Sequence, residues 1–165
     1  MEPRIRPYVL SDAEAVGRLI ADTFRWFNLS YASPEEQRKL LGPFRHADSS
    51  DAGHRAAIAA TIDAPCVLVA ETPQGNLCGV LRGRPGRLHS LFVDAAYQHC
   101  GIGRRLMEAF EQQVRKTEAD KITLQSTLLA VPFYQKLGYK RSTGVRSGRC
   151  FDGDGFRYQP MKKLL

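Results

Sequence analysis

The sequence has no apolar run near the ~20 residues that a helical membrane span requires. Its N-terminal stretch, Met1-Glu2-Pro3-Arg4-Ile5-Arg6, lacks the apolar core of a secretory leader. These two absences lead us to expect a cytoplasmic protein with no membrane partner. Cysteine is sparse as well. Cys66, Cys78, Cys100 and Cys150 form no C-x-x-C pair and match no zinc-binding spacing. Free thiols in a reducing compartment, and no metal site, are expected. There is no internal repeat, low-complexity tract or linker, so the 165 residues fit one domain over 1–165. What is present, 43% hydrophobic and 25% charged residues, is the composition of a folded chain with a real core.

The net charge is +7, which attracts polyanions such as phosphorylated ligands or nucleic acid. The basic residues are dispersed, however. The densest runs, 82–87 and 140–149, lack the interleaved aromatics of a single-strand nucleic-acid surface. They read instead as solvated strand edges whose charge prevents edge-to-edge pairing, and no nucleic-acid partner is expected.

The hydrophobic period places the elements. Residues 4–8 read as a short strand. Ser11 and Glu14 form an S-x-x-E capping box ahead of a helical stripe of Val16, Leu19, Ile20, Thr23, Phe24 and Phe27. Ser33, Pro34 and Glu36 open a second helix, which Gly42-Pro43 stops. A looser third helix covers 52–62. From residue 66 the pattern becomes short and apolar, giving strands at 66–70, 77–84 and 87–93 with turn chemistry between them. A helix over 101–116, a strand over 121–125, a helix over 128–137 ended by Gly138, and a strand pair at 139–146 and 155–161 complete the chain. The order β-ααα-βββ-α-β-α-ββ defines an α/β fold of α+β type, with a mixed central sheet of about six to seven strands flanked by helices.

The richest stretch follows the strand Leu91-Phe92-Val93-Asp94. It reads Ala95-Ala96-Tyr97-Gln98-His99-Cys100-Gly101-Ile102-Gly103-Arg104-Arg105 and runs straight into a helix. Backbone N–H groups in a first helical turn have no intrahelical partner, and the helix dipole favours negative charge there. Glycines let a phosphate approach the backbone closely. The stretch is therefore a pyrophosphate cradle. It is not a P-loop, because Gly103 precedes Arg104 rather than Lys and a hydroxyl residue. It is not a Rossmann fingerprint either, because position 106 is Leu106 rather than glycine or alanine.

The segment resembles the acyl-CoA-binding motif of the GNAT acetyltransferase superfamily, Gln/Arg-x-x-Gly-x-Gly/Ala. It departs from it at Ala95, where proline is frequent, and at Cys100, where Lys, Arg or Gly is commoner. Ala130-Val131-Pro132-Phe133-Tyr134-Gln135-Lys136-Leu137-Gly138-Tyr139 resembles the second motif of the same superfamily. The two motifs occur in order, and the likeness is strong over 88–139 and faint over 1–65.

The resemblance implies a transfer of an acetyl group from acetyl-CoA directly to an amine acceptor, a small molecule or a protein. A non-catalytic acyl-CoA sensor is the alternative. It implies a pantetheine arm along Leu91, Phe92 and Val93, and a pyrophosphate at Gln98, His99, Cys100, Gly101, Ile102, Gly103 and Arg104. Arg104, Arg105 or Lys136 would then reach the ribose phosphate. It gives Tyr134 the position of the acid that protonates the departing thiolate, a role for which a phenol is suited. His89 takes the place where many members carry a glutamate base. It acts on the amine directly or through water, or else it is a strand histidine without chemistry. Phe24, Phe27 and Tyr31, beside Trp26, are the candidate acceptor-pocket residues, or core. Family habit and the apolar residues Phe151, Phe156 and Tyr158 lead to the expectation of a homodimer.

Overall fold

The computed structural model describes residues 2–165. Its centre is an eight-stranded mixed sheet: β1 (Arg4–Pro7), β2 (Cys66–Glu71), β3 (Leu77–Arg84), β4 (Arg87–Val93), β5 (Lys121–Thr127), β6 (Lys140–Arg141), β7 (Arg146–Cys150) and β8 (Gly153–Leu164). The spatial order is β1-β2-β3-β4-β5-β8-β6, and β7 also pairs with β8. The expected strand over 139–146 is in fact split in two. Residues 142–145 leave the ladder between β6 and β7, which raises the count to eight.

Five α-helices cover the sheet: α1 (Ala13–Thr23), α2 (Pro34–Leu41), α3 (Ala52–Ile62), α4 (Ile102–Val114) and α5 (Val131–Lys136). Alternation along β2 separates two cores. Leu68 and Ala70 pack on one face with Leu106, Met107 and Phe110 of α4 and with Tyr134 of α5. Val69 packs on the other face with Val16, Ile20 and Phe24 from the α1 region and Ile58 and Ile62 of α3. This is the period-two rule of a strand buried on both sides.

Local chemistry sets the helix starts. The Ser33 hydroxyl accepts from the Glu36 N–H at 3.2 Å, and the Glu36 carboxylate accepts from the Ser33 N–H at 2.8 Å, as the sequence pattern requires. At α1 the outcome differs from expectation. The carboxylate of Asp12, rather than the Ser11 hydroxyl, accepts the Val9 N–H at 2.9 Å, and α1 begins one residue later. Asp12 prevails because it also receives two bonds from Arg6, at 2.8 and 3.0 Å. Arg6 in turn pairs with Glu71 on the neighbouring strand. A charge-assisted pair is worth more than a neutral hydroxyl contact.

Two other readings change with the topology. Arg82 and Arg84 lie on β3 and Arg87 on β4, and both strands are interior, so this run is not a solvated edge. Phe156 packs against Phe24 with ring centroids 5.8 Å apart, and Phe151 lies over Phe44 at 6.1 Å. Phe156 is thus half-buried on the α1–α3 side, while Phe151 stays 41% exposed beside Phe44.

Replacing Asp12 with alanine is expected to cost about 1–3 kcal/mol, the range for stranding charged hydrogen-bond partners. Ser11→Ala should cost less than about 0.5 kcal/mol, as at an ordinary surface site. Arg6 and Arg4 hold the Glu71 carboxyl down at about 2, and Arg6 likewise lowers that of Asp12. Both groups have folded values below their unfolded ones, so their contribution is present above about pH 4 and is lost on acidification below it. Urea melts at pH 7 and pH 3 check both statements. Equal losses for the two alanine variants would return the cap to Ser11.

Candidate active site

The site begins where β4 and β5 part. They pair as parallel strands at one register position, Arg87 opposite Thr123. There the Gly86 carbonyl accepts both the Thr123 N–H at 2.9 Å and the Thr123 hydroxyl at 3.2 Å. Beyond that point β4 stays with β3, and β5 follows β8 from the Lys121–Leu164 pair to the Thr127–Tyr158 pair. A cleft of about 680 Å³ opens along the divergence. Residues 88–93 of β4 form one wall and 124–127 of β5 the other.

At the C-terminal end of β4 the chain turns into the cradle. Asp94 accepts the Ala96 N–H at 2.8 Å, and the Gln98 side-chain amide donates to the Val93 carbonyl at 3.1 Å, so two side chains fix the turn. His99 (φ 61°) and Gly101 (φ 81°) both adopt left-handed backbone, which for His99 is uncommon in a residue with a side chain. The α4 ladder closes first at Arg105 N–H to Gly101 carbonyl, 3.0 Å. The N–H groups of Gly101, Ile102, Gly103 and Arg104 are therefore left without helical partners at the cleft. A β-carbon on Gly101 would meet nothing within 4 Å, whereas one on Gly103 would lie 3.2 Å from the Phe133 ring. Gly103 thus also permits the close approach of α4 to α5, a packing role beyond the one its spacing implied.

Tyr134 projects from α5 into the same cleft. It sits between the rings of Phe133 (5.0 Å) and Tyr139 (5.8 Å), both edge-on. The Tyr139 hydroxyl donates to Glu111 at 3.0 Å, and Glu111 also accepts from Lys163 at 2.7 Å, which fixes this aromatic stack from behind. Burial alone raises the Tyr134 phenol well above its ordinary pKa, so it is protonated throughout the physiological range.

His89 does not follow the simple alternation of β4. Leu88 opposes Gly83 while Ser90 opposes Arg82, so His89 is the extra residue of a β-bulge. Leu88, not His89, shares the buried face of Leu91 and Val93. His89 is exposed at the rim of the cleft. Partial desolvation, and then the guanidinium groups of Arg82, Arg84 and Arg87, push its pKa below 6.5.

Of the other expected residues, Leu91, Phe92, Val93, Gln98, His99, Gly101, Ile102, Gly103, Arg104 and Lys136 line the cleft, as do Phe24 and Phe27. Three do not. Cys100 is exposed beside it, Arg105 pairs with Glu2 at 3.4 Å, and Tyr31 is 71% exposed outside it. Trp26 is likewise on the surface. The sequence reading missed Arg82, Ser126, Thr127, Arg149 and Cys150, all of which line the cleft. Burial pushes the Cys150 thiol up to about 11, and its Sγ–H donates to the Leu40 carbonyl at 3.5 Å, so it is not a thiolate nucleophile. Among the described residues no cluster of His, Cys, Asp or Glu is arranged to hold a metal.

A strand pair that splays, a helix N-terminus at its mouth and a buried phenol beside it thus meet in one cleft. The family profile described as "Acetyltransferase (GNAT) domain" matches residues 34–165, and the chain belongs to this family. An uncharacterized N-acetyltransferase of Bacillus subtilis strain 168, YitH, is 35% identical over 83 residues, a match that covers 48% of this chain and 27% of that protein. The fold is similar to that of a GCN5-related N-acetyltransferase from Rhodopseudomonas palustris, with a TM-score of 0.81 and 23% identity over 100% of this chain and 97% of the other. It is also similar to that of the PaiA N-acetyltransferase from Thermoplasma acidophilum in complex with coenzyme A, with a TM-score of 0.71 and 20% identity over the full length of both chains.

The environment of His89 makes a direct prediction. In NMR titrations its imidazole should have a midpoint below the ~6.5 of a free histidine, and Arg87→Gln should raise that midpoint. A midpoint at or above the free value would show that neither desolvation nor the arginines govern it.

Proposed function

We propose that this protein is an acetyl-CoA-dependent N-acetyltransferase that transfers the acetyl group directly to a primary amine. The observation that carries the reading is the convergence on one cleft of the unpartnered amides of 101–104, the unpaired edge of β4 and the Tyr134 side of α5. A non-catalytic acyl-CoA sensor needs the first two of these but has no use for a buried, protonated phenol beside them.

In this reading the amides of residues 99–104 bind the pyrophosphate, aided by the α4 dipole. Arg104 and Lys136 stand nearby for the remaining phosphate. The edge of β4 at Leu91, Phe92 and Val93 receives the amide groups of the pantetheine arm, as a further strand would. Tyr134 donates to the sulfur as the C–S bond breaks. Its raised pKa lies above the ~8.5 of a thiol, so full transfer to a thiolate runs uphill. The hydroxyl therefore acts chiefly as a fixed donor to the charge that develops, in the manner of an oxyanion hole. His89, neutral at pH 7, takes the amine proton directly or through water. Cys150, protonated, supports transfer without a covalent acyl-enzyme. Free thiols at all four cysteines suit the cytoplasmic setting expected from the sequence.

Tyr134→Phe keeps the packed ring and removes the donor, so kcat should fall ~10²–10³-fold with acetyl-CoA affinity nearly unchanged. An unaltered rate, with chemistry shown to be limiting, would remove Tyr134 from the mechanism. Gly103→Val should displace Phe133 into the cleft and weaken CoA binding at least ~10-fold, the equivalent of about 1.4 kcal/mol, while cooperative unfolding is retained. Calorimetric titration with CoA checks this, and wild-type affinity would place the pyrophosphate elsewhere.

A further inference from the structure

The cleft lining contains no aspartate and no glutamate among the described residues. Its charged and titratable nitrogen groups are Arg82, His89, His99, Arg104, Lys136 and Arg149. His99, Arg104 and Lys136 belong to the cradle end and are assigned to the phosphates of the cosubstrate. Arg82, His89 and Arg149 remain. They lie around an aromatic surface made by Phe24, Phe27, Phe44, Phe92, Phe156 and Tyr158, on the α1–α3 side of the sheet.

Arg82 is unusual in this group. Its Nε donates to the Ile62 carbonyl at 2.9 Å, one Nη donates to the Thr61 carbonyl and the other approaches the Ser90 hydroxyl at 3.5 Å. It forms no ion pair with any carboxylate among the described residues, and burial lowers its pKa. The C-terminal carbonyls of α3 hold it and supply only partial negative charge. Arg82 is part-buried, and the Coulombic pull of Asp63 offsets only part of its desolvation, so an anionic ligand would supply the balance. Guanidinium has five N–H donors, so some remain free towards the cleft. Arg149 also lines the cleft, but from its rim, with a side chain 69% exposed. Its Nε donates to the Phe151 carbonyl at 3.2 Å, and its nearest carboxylate, Asp154, is 3.9 Å away and largely in solvent.

A site of this kind does not suit a polycation or a lysine-rich peptide. No carboxylate is available to receive an extra ammonium, and the cationic wall repels it. For an amine that does enter, the same positive field disfavours the ammonium form and lowers its pKa. The neutral nucleophile then forms without a strong base, which fits a cleft that has His89 as the histidine left after His99 is assigned to the cradle. Resting on the acetyltransferase reading above, we infer that the acceptor is a primary amine that also carries an acid group and an apolar or aromatic body. An apolar amino acid is its simplest representative. The acid group pairs with Arg82 or Arg149, and the apolar body lies against the phenylalanines.

The test compares matched amines by release of the CoA thiol from acetyl-CoA: phenylalanine against phenethylamine, leucine against isoamylamine, with spermidine and a lysine peptide as cationic acceptors. The acids should exceed their decarboxylated partners in kcat/KM at least ~10-fold, roughly the value of one charge-assisted pair. Arg149→Gln, and separately Arg82→Lys, should raise KM for the acids and narrow that ratio while KM for acetyl-CoA holds. Decarboxylated or polycationic amines that react as well as the acids, or a ratio indifferent to both variants, would overturn the inference. A second arm does not depend on turnover. N-acetylphenylalanine should bind the wild-type protein and shift amide resonances of β4 and β8, whereas N-acetylphenethylamine should not. Binding of the acid without turnover of any amine would keep the site assignment and overturn the transferase reading. Absence of binding would overturn the site assignment itself.

Discussion

The structure depends on the parting of β4 from β5. A parallel pair that continued along its length would have closed the sheet and left nowhere for a ligand between its strands. Here one ladder position at Arg87 and Thr123 joins the two halves, and the Gly86 carbonyl anchors the junction through two donors from Thr123. Beyond it, backbone groups on one side of β4 have no strand to pair with. Such groups are tolerated only where water or a ligand can reach them, and the cleft meets that need. The divergence also determines what surrounds the cleft. The end of β4 leads directly into the turn before α4, so the helix N-terminus opens at the mouth. The end of β5 leads into α5, so Tyr134 faces the same space.

Charge is arranged to match. The chain has 24 Lys and Arg against 17 Asp and Glu, and the carboxylates with structural duties are kept away from the cleft. Asp12 and Glu71 clamp Arg6 at the β1 edge. Glu111 is enclosed with Tyr139 and Lys163 behind α5. The cleft is left with arginine, lysine and histidine alone, which suits a phosphorylated cosubstrate at one end and an acid-bearing acceptor at the other. Desolvation, and then Arg82, Arg84 and Arg87, lower the pKa of His89.

Much of this was legible from the residues, and the divisions follow physical lines. The turn into α4 could be read because left-handed backbone favours glycine, and Gly101 adopts it at φ 81°. The second motif was readable for a similar reason: Gly138 must end α5 in left-handed backbone, which fixes the phase of Tyr134 relative to it. Features that arise from pairing across the sheet were not readable. The bulge at His89 is set by register against β3, and a period-two reading of β4 alone cannot contain it. The Asp12 cap depends on Arg6 and, through it, on Glu71, which is distant in sequence. Arg82 looked like one member of an edge cluster until the topology placed β3 in the interior. Tyr31 shared an aromatic-rich stretch with Phe27, but only Phe27 turns into the cleft.

The most direct measurement is a crystal structure of the protein with acetyl-CoA. The account predicts a pyrophosphate on the amides of residues 99–104, a pantetheine arm along Leu91 to Val93 in the gap between β4 and β5, and a sulfur within hydrogen-bond distance of the Tyr134 hydroxyl. A ligand bound away from that gap, or a sulfur beyond the reach of Tyr134, would contradict it.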